Sequence, residues 1–185
     1  MSKKIFLTVL LITLICMSWR IDTLYKKIDE LVFNQNLILL QLQESENEIK
    51  KMGKEVDQID ALIDKYSKKF GVDKNLVHAV ATIESGKNQS ASSKSGAIGV
   101  MQVLPSTAKA MGENPYTIEG NVKVGIKYLS YLDKKFNGDV DKVLAGYNAG
   151  PNAVIKHGGV PPYKETKTYI KKVKQEKAKL DNENR

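Results

Sequence analysis

Residues 73–105 read Asp73-Lys74-Asn75-Leu76-Val77-His78-Ala79-Val80-Ala81-Thr82-Ile83-Glu84-Ser85-Gly86-Lys87-Asn88-Gln89-Ser90-Ala91-Ser92-Ser93-Lys94-Ser95-Gly96-Ala97-Ile98-Gly99-Val100-Met101-Gln102-Val103-Leu104-Pro105. Asp73 is a good N-cap, and Leu76, Val77, Val80 and Ile83 follow at helical spacing, so a helix is predicted from Lys74 to Glu84. Pro105 suits the first turn of another helix. Between them lies a loop, Gly86 to Gly99, rich in hydroxyls at Ser90, Ser92, Ser93 and Ser95. This register leaves Glu84 at the C-terminal end of its helix, where the helix dipole disfavours a carboxylate and burial would raise its pKa further. An acid of that kind, at the mouth of a glycine-rich loop, suits a general acid near neutral pH. A glutamate at a helix end is more often a solvated surface residue, and spacing alone does not choose between the two.

Upstream, Asp57 to Phe70 reads as an amphipathic helix with Ile59, Leu62, Ile63 and Tyr66 on one side, closed by Gly71 after Lys68-Lys69. Glycine and proline become frequent only after Phe70, which marks a change from rod to globule. Counting heptads from Ile21, twelve of the fourteen a and d positions as far as Tyr66 are apolar; Gln35 and Ser45 are the exceptions. Residues 21–56 are therefore expected to form a helical coiled-coil stalk, roughly 54 Å long as one helix. Leu37, Leu39 and Leu40 widen the stripe, so a homodimer, a partner helix and a short bundle all stay open. Ahead of the stalk, Lys3-Lys4 precedes an apolar run of 15 residues, Ile5 to Trp19, closed by Arg20. Residues 1–20 suit a transmembrane anchor or a cleaved signal. The weak cleavage site at Cys16-Met17-Ser18 favours the anchor, with Ile21, Leu24 and Tyr25 extending the span toward the roughly 20 residues a bilayer needs.

The 185 residues are 42% apolar and carry a formal charge of +8. Residues 1–56 hold 8 Lys/Arg and 7 Asp/Glu, so the excess charge belongs to the remainder and favours an anionic partner. One cysteine, Cys16, excludes an internal disulfide framework, and two histidines make a histidine-built metal site improbable. No cofactor and no metal are expected. Nucleic acid is not expected as a partner, since basic and aromatic residues are not interleaved in a binding module.

No Asp or Glu occurs from Ser85 to Gly112, so the paired carboxylates of most glycosidases are missing locally, although a distant partner such as Glu165 stays open. Glu84-Ser85-Gly86, followed by Ala91, Ser93, Gly96-Ala97, Gly99-Val100-Met101-Gln102, Pro105 and Thr107-Ala108, resembles the signature of the soluble-type (SLT) lytic transglycosylases. Three later blocks are similar to that family in the same order: Asn121-Val122 with Gly125 and Tyr128-Leu129; Gly146-Tyr147-Asn148-Ala149-Gly150-Pro151; and Pro161-Pro162-Tyr163 with Glu165-Thr166 and Tyr169-Ile170. Four spaced blocks in order are far more specific than any one of them.

The resemblance implies an all-α, lysozyme-like catalytic domain over residues 57–175, followed by a basic and polar tail at 176–185. It implies cleavage of the MurNAc-β-1,4-GlcNAc bond of a peptidoglycan glycan strand, with 1,6-anhydro-MurNAc as product. Glu84 falls on the family's catalytic acid/base. Ser93 aligns with a serine that hydrogen-bonds the glutamate or substrate, and Ser95 is a second of that kind. Gln102 and Tyr147 are implied to line the cleft, Asn148 to shape it, and Glu165 and Tyr169 to contact saccharide or peptide stem. Lys87, Gln89, Val100 and Leu104 depart from the common pattern; Lys87 is read as facing an anionic part of the substrate. The lysine run from Lys167 reads mainly as a solvated face. A goose-type-lysozyme-like muramidase and a non-catalytic, membrane-anchored glycan-binding scaffold remain as alternatives. The expected location is the cell membrane, single-pass, with the domain on the extracytoplasmic side, or secretion if the leader is cleaved.

Overall fold

The computed structural model describes residues 2–183. Seven helices follow one another: α1 Lys3–Phe70, α2 Lys74–Ser85, α3 Pro105–Met111, α4 Ile118–Lys135, α5 Val140–Ala149, α6 Pro151–Lys156 and α7 Lys164–Glu183. Among the described residues extended pairing is limited to two isolated antiparallel bridges, Ser92 with Ile98 and Ile98 with Val103. The chain divides into two units, Met1–Gly53 and Lys54–Arg185.

In the first unit every described side chain is exposed along a single helix, and the apolar ones include Phe6, Leu10, Ile15, Trp19, Leu31 and Phe33. α1 is the one helix among the described residues that is long and apolar enough to cross a membrane. α1 runs without a break through Gly53 and Asp57 to Phe70, as the heptads counted as far as Tyr66 allow. No helix breaker stronger than one glycine stands in that stretch, and a single glycine costs only about 1 kcal/mol in a helix.

The second unit is built around α4, which buries Val122, Val124, Ile126, Leu129 and Leu132. The end of α1 supplies Ile59, Ile63 and Tyr66, α2 supplies Val77 and Val80, and α5 supplies Val143 and Leu144 to the same core. Gly125 lets α4 approach the 98–103 loop, because a Cβ there would lie 2.6 Å from the Met101 side chain. The predicted punctuation is present. Asp73 accepts from the Asn75 N–H at 2.9 Å, Pro105 opens α3, and Gly71 and Gly86 take left-handed conformations after α1 and α2.

The basic and polar segment from residue 176 is helical, continuing α7 as far as Glu183. Its last turns pack on α2. Lys177 bridges Asp73 at 2.9 Å and Asp181 at 2.7 Å, Asn75 donates to Asp181 at 2.8 Å, and Leu180 lies against the core. Local composition there is polar, and the attachment depends on residues about a hundred positions earlier.

Candidate active site

Glu84 stands one residue from the end of α2, and three local devices hold that end in place. The Gly86 N–H caps the Thr82 carbonyl, the Ser85 hydroxyl donates to the Val100 carbonyl at 2.7 Å, and the same oxygen accepts from the Asn88 N–H at 3.0 Å. Lys87 takes a left-handed backbone (φ 62°) uncommon for a side chain of its size, and its ammonium is bound by Asp60 of α1. Lys87 therefore acts as a strap between α1 and the loop after Glu84, rather than facing substrate. His78 lies on the same strap, 3.5 Å from Asp60 and 3.7 Å from Asp64, with its pKa lowered by burial and by Lys87.

The Glu84 carboxyl opens on a groove of about 620 Å³ lined also by Ile83, Asn148, Lys164, Glu165, Thr168, Tyr169 and Lys172. Burial raises its pKa from 4.5 to about 7, and Tyr169 beside it offsets a part of that rise. The Tyr169 hydroxyl is itself buried and makes no hydrogen bond of normal geometry. Its own pKa is driven well above the usual tyrosine range, by burial first and then by the charge of Glu84. The hydroxyl thus stays protonated and is a potential donor to an ionised Glu84.

A second, smaller pocket of about 250 Å³ is lined by Gln102, Val103, Leu104, Thr107, Tyr128, Tyr147, Asn148, Ala149 and Gly150. Asn148 lines both, which makes the two neighbours along one cleft. Its Oδ1 accepts from Thr166 of α7 at 2.8 Å, so the side chain is fixed. The Tyr147 hydroxyl donates to the Met101 carbonyl at 2.8 Å, and its ring tilts against Tyr128 with centroids 5.5 Å apart. Gln102 takes a positive φ of 44°, and its amide nitrogen donates to the carbonyls of Ala91 and Gly99.

Of the residues singled out from sequence, Glu84, Asn148, Glu165 and Tyr169 meet around the larger groove, and Gln102, Tyr147 and Asn148 around the smaller. Ser93 and Ser95 line neither. Their hydroxyls pair with each other at 2.9 Å, and Ser93 Oγ accepts the Ala97 N–H at 3.0 Å, closing the loop on itself. Three contributors were given no role in the site from sequence. Lys164 and Lys172 line the larger groove. Fully buried Asn121 accepts from the Met101 N–H at 2.8 Å and donates to the carbonyls of Ile98 and Pro115, pinning the loop that carries Gln102. Asn121 stands at i, with Gly125 at i+4 and Leu129 at i+8, on the buried stripe of α4, and a polar residue on that stripe is the signal that points to it.

The fold is that of the all-helical, lysozyme-like class, here with the half-buried Glu84 carboxyl group beside an open groove. The chain belongs to the Transglycosylase SLT domain family, whose pattern matches residues 61–170. Among curated proteins it is 33% identical over 109 residues to the membrane-bound lytic murein transglycosylase E of Buchnera aphidicola, an alignment covering 48% of each chain. It is 33% identical over 114 residues to the membrane-bound lytic murein transglycosylase C of Haemophilus ducreyi, covering 51% of this chain and 31% of that one. The chain therefore spans about half the length of one of these relatives and under a third of the other. A solved structure of an inactive Glu-to-Gln mutant of the lytic transglycosylase Slt from Pseudomonas aeruginosa superimposes with a TM-score of 0.59 and 27% identity, covering 65% of this chain and 24% of that one. The 70-kDa soluble lytic transglycosylase in complex with bulgecin A gives 0.61 at 27% identity, covering 66% and 24%.

Proposed function

We propose that the chain is a peptidoglycan lytic transglycosylase that cleaves the MurNAc-β-1,4-GlcNAc bond and leaves a 1,6-anhydro-MurNAc end. The observation that carries this reading is Glu84, a carboxyl group held by burial at a pKa of about 7 on the wall of a groove. Near neutral pH a large share of it is protonated and able to donate. The first step transfers that proton to the glycosidic oxygen as the C1–O bond breaks, with positive charge developing at C1 of MurNAc. The carboxylate left behind then accepts the proton of the MurNAc 6-hydroxyl while its oxygen bonds to C1, closing the anhydro ring and restoring the acid. Proton count balances within the one residue, and no water enters. An internal hydroxyl already tethered to the reacting sugar has a large effective concentration, which stands in for a positioned nucleophile. The Tyr169 hydroxyl faces the carboxylate formed in the first step, and Gln102, Tyr147, Asn148 and Glu165 shape the cleft where the strand lies.

Digestion of purified peptidoglycan, read by mass spectrometry, tests the assignment. Products one water lighter than hydrolytic ones, lost in Glu84→Gln, are expected. Reducing ends would move the chain to the muramidases, and strand binding without products from the wild type would leave a scaffold. The apolar helix, in a chain similar to membrane-bound relatives, supports a single-pass anchor with the SLT domain on the extracytoplasmic side. The heptads of residues 21–56 support pairing with a second copy, which cross-linking in membranes would detect.

A further inference from the structure

We infer that Lys164 and Lys172 are specificity residues that read free carboxylates on the peptide stems of the strand being cleaved; the inference rests on the proposed peptidoglycan reading. Lys164, Thr168 and Lys172 stand at i, i+4 and i+8 of α7, so they form one stripe along the helix, about 12 Å from end to end. All three line the groove that holds Glu84. Neither ammonium has an ion-pair or hydrogen-bond partner among the described residues. Lys174, Lys177 and Lys179 on the same helix are all paired, with Asp141, with Asp73 and Asp181, and with Glu176. The groove's charged lining is completed by Glu84, protonated in large part near neutral pH, and Glu165, which leaves the lining net positive.

The two ammonium groups present positive charge to a strand bound in the groove that also holds Glu84. The sugar hydroxyls and acetamides are neutral, so a strand whose carboxylates are all masked offers them no charge. The lactyl group of MurNAc carries a peptide with free carboxylates, and these are the anions that a groove beside the reacting sugar would meet. Exposed charge pairs contribute modestly, so an effect of about two- to fivefold per lysine is expected.

The test uses the full chain in detergent micelles with Glu84→Gln, so that strands bind without turnover. Three soluble probes are compared: strands with free stem carboxylates, strands with amidated stems, and strands stripped of stems with the exposed lactyl carboxylates amidated. Free-carboxylate strands are expected to bind about fivefold or more tightly than the other two, with a preference that fades at high salt. Adding Lys164→Gln and Lys172→Gln should remove the preference. Adding Lys109→Gln and Lys179→Gln, which takes away the same charge outside the groove, should keep it. No preference in the parent, a preference that survives loss of Lys164 and Lys172, or equal loss in the control pair would each overturn the inference. The wild-type digest is scored separately: a preference without anhydro products sinks the proposed reaction alone, and anhydro products without a preference sink the lysine assignment alone.

Discussion

Burying a carboxyl group opposes folding wherever that group is ionised, and Glu84 shows in which pH range the cost falls. Its pKa of about 7 lies above the 4.5 of an unperturbed glutamate, so between these values the folded chain keeps a proton that the unfolded chain has released. Stability therefore falls as pH rises through that window and levels off above it. Glu84→Gln should leave stability near pH 4 little changed and raise it at pH 8.5 by on the order of 1–3 kcal/mol. Urea unfolding of residues 54–185 at the two pH values measures this, and an equal effect at both would show that the carboxyl group is not strained by burial. Activity should follow the same proton. The donating form disappears as pH rises through about 7, so kcat/KM should decline on that side, while Glu84→Gln loses about 10²–10⁴-fold at every pH. The helix register placed Glu84 at the end of α2 but did not separate it from a solvated surface glutamate; the resemblance of the four sequence blocks singled it out. Ser93 was harder. A serine in a glycine-rich loop satisfies nearby backbone as readily as substrate, and here Ala97 and Ser95 take its oxygen. Lys164 and Lys172 were hidden for another reason: a lysine run shows charge but not which face of the helix meets a groove.

At the scale of the element, the segment from Ile98 to Val103 depends on α4 more than on its own sequence. Asn121 supplies both faces of an amide to three backbone groups of the loop and its neighbour, and Gly99 makes room for it. A Cβ on Gly99 would lie 2.3 Å from Asn121 Nδ2, at a backbone φ of +77° that side chains avoid. Asn121→Ala leaves the buried Met101 N–H without its partner and takes one of two donors from each of the Ile98 and Pro115 carbonyls, a loss of about 1–3 kcal/mol. Gly99→Ala should also destabilise, through displacement of Asn121. Thermal melting of residues 54–185 would register both, and a melting temperature unchanged in Asn121→Ala would show that the loop holds without it. Because Gln102 and the Met101 carbonyl bound by Tyr147 ride on this segment, surviving activity should fall more than residual stability implies. The caps at Asp73, Gly71 and Pro105 could be read in advance because their signals lie within a few residues of the ends they mark. The docking of the last turns of α7 on α2 could not, since Lys177 and Asp181 meet Asp73 and Asn75 only after the chain has folded back.

At the scale of the whole molecule, the chain joins a unit with no core to a unit with a complete one. Residues 2–53 are exposed throughout, with large apolar side chains such as Trp19 (70% exposed) and Phe33 (68%) and nothing among the described residues to cover them. A single helix of that kind is unstable in water, because its apolar surface stays hydrated; a bilayer would remove the surface of residues 5–19 from water, and pairing of the heptads would cover the apolar residues beyond them. The second unit closes its core with its own residues, from Ile59 on α1 to Val173 on α7. Its packing and its groove therefore require nothing from residues 1–53. Removing residues 1–53 should release the protein from membranes while the remaining chain still yields the same products from purified peptidoglycan, at a rate within about twofold of the full chain in detergent. Membrane flotation of both forms, alongside the digest, decides the matter. If the truncated form still floats with membranes, attachment resides in the second unit, where the unpaired lysines of α7 would be the first place to look. If it is released but inactive on soluble strands, the first unit contributes to catalysis in a way its exposed helix does not suggest, and the separation argued from the two cores fails.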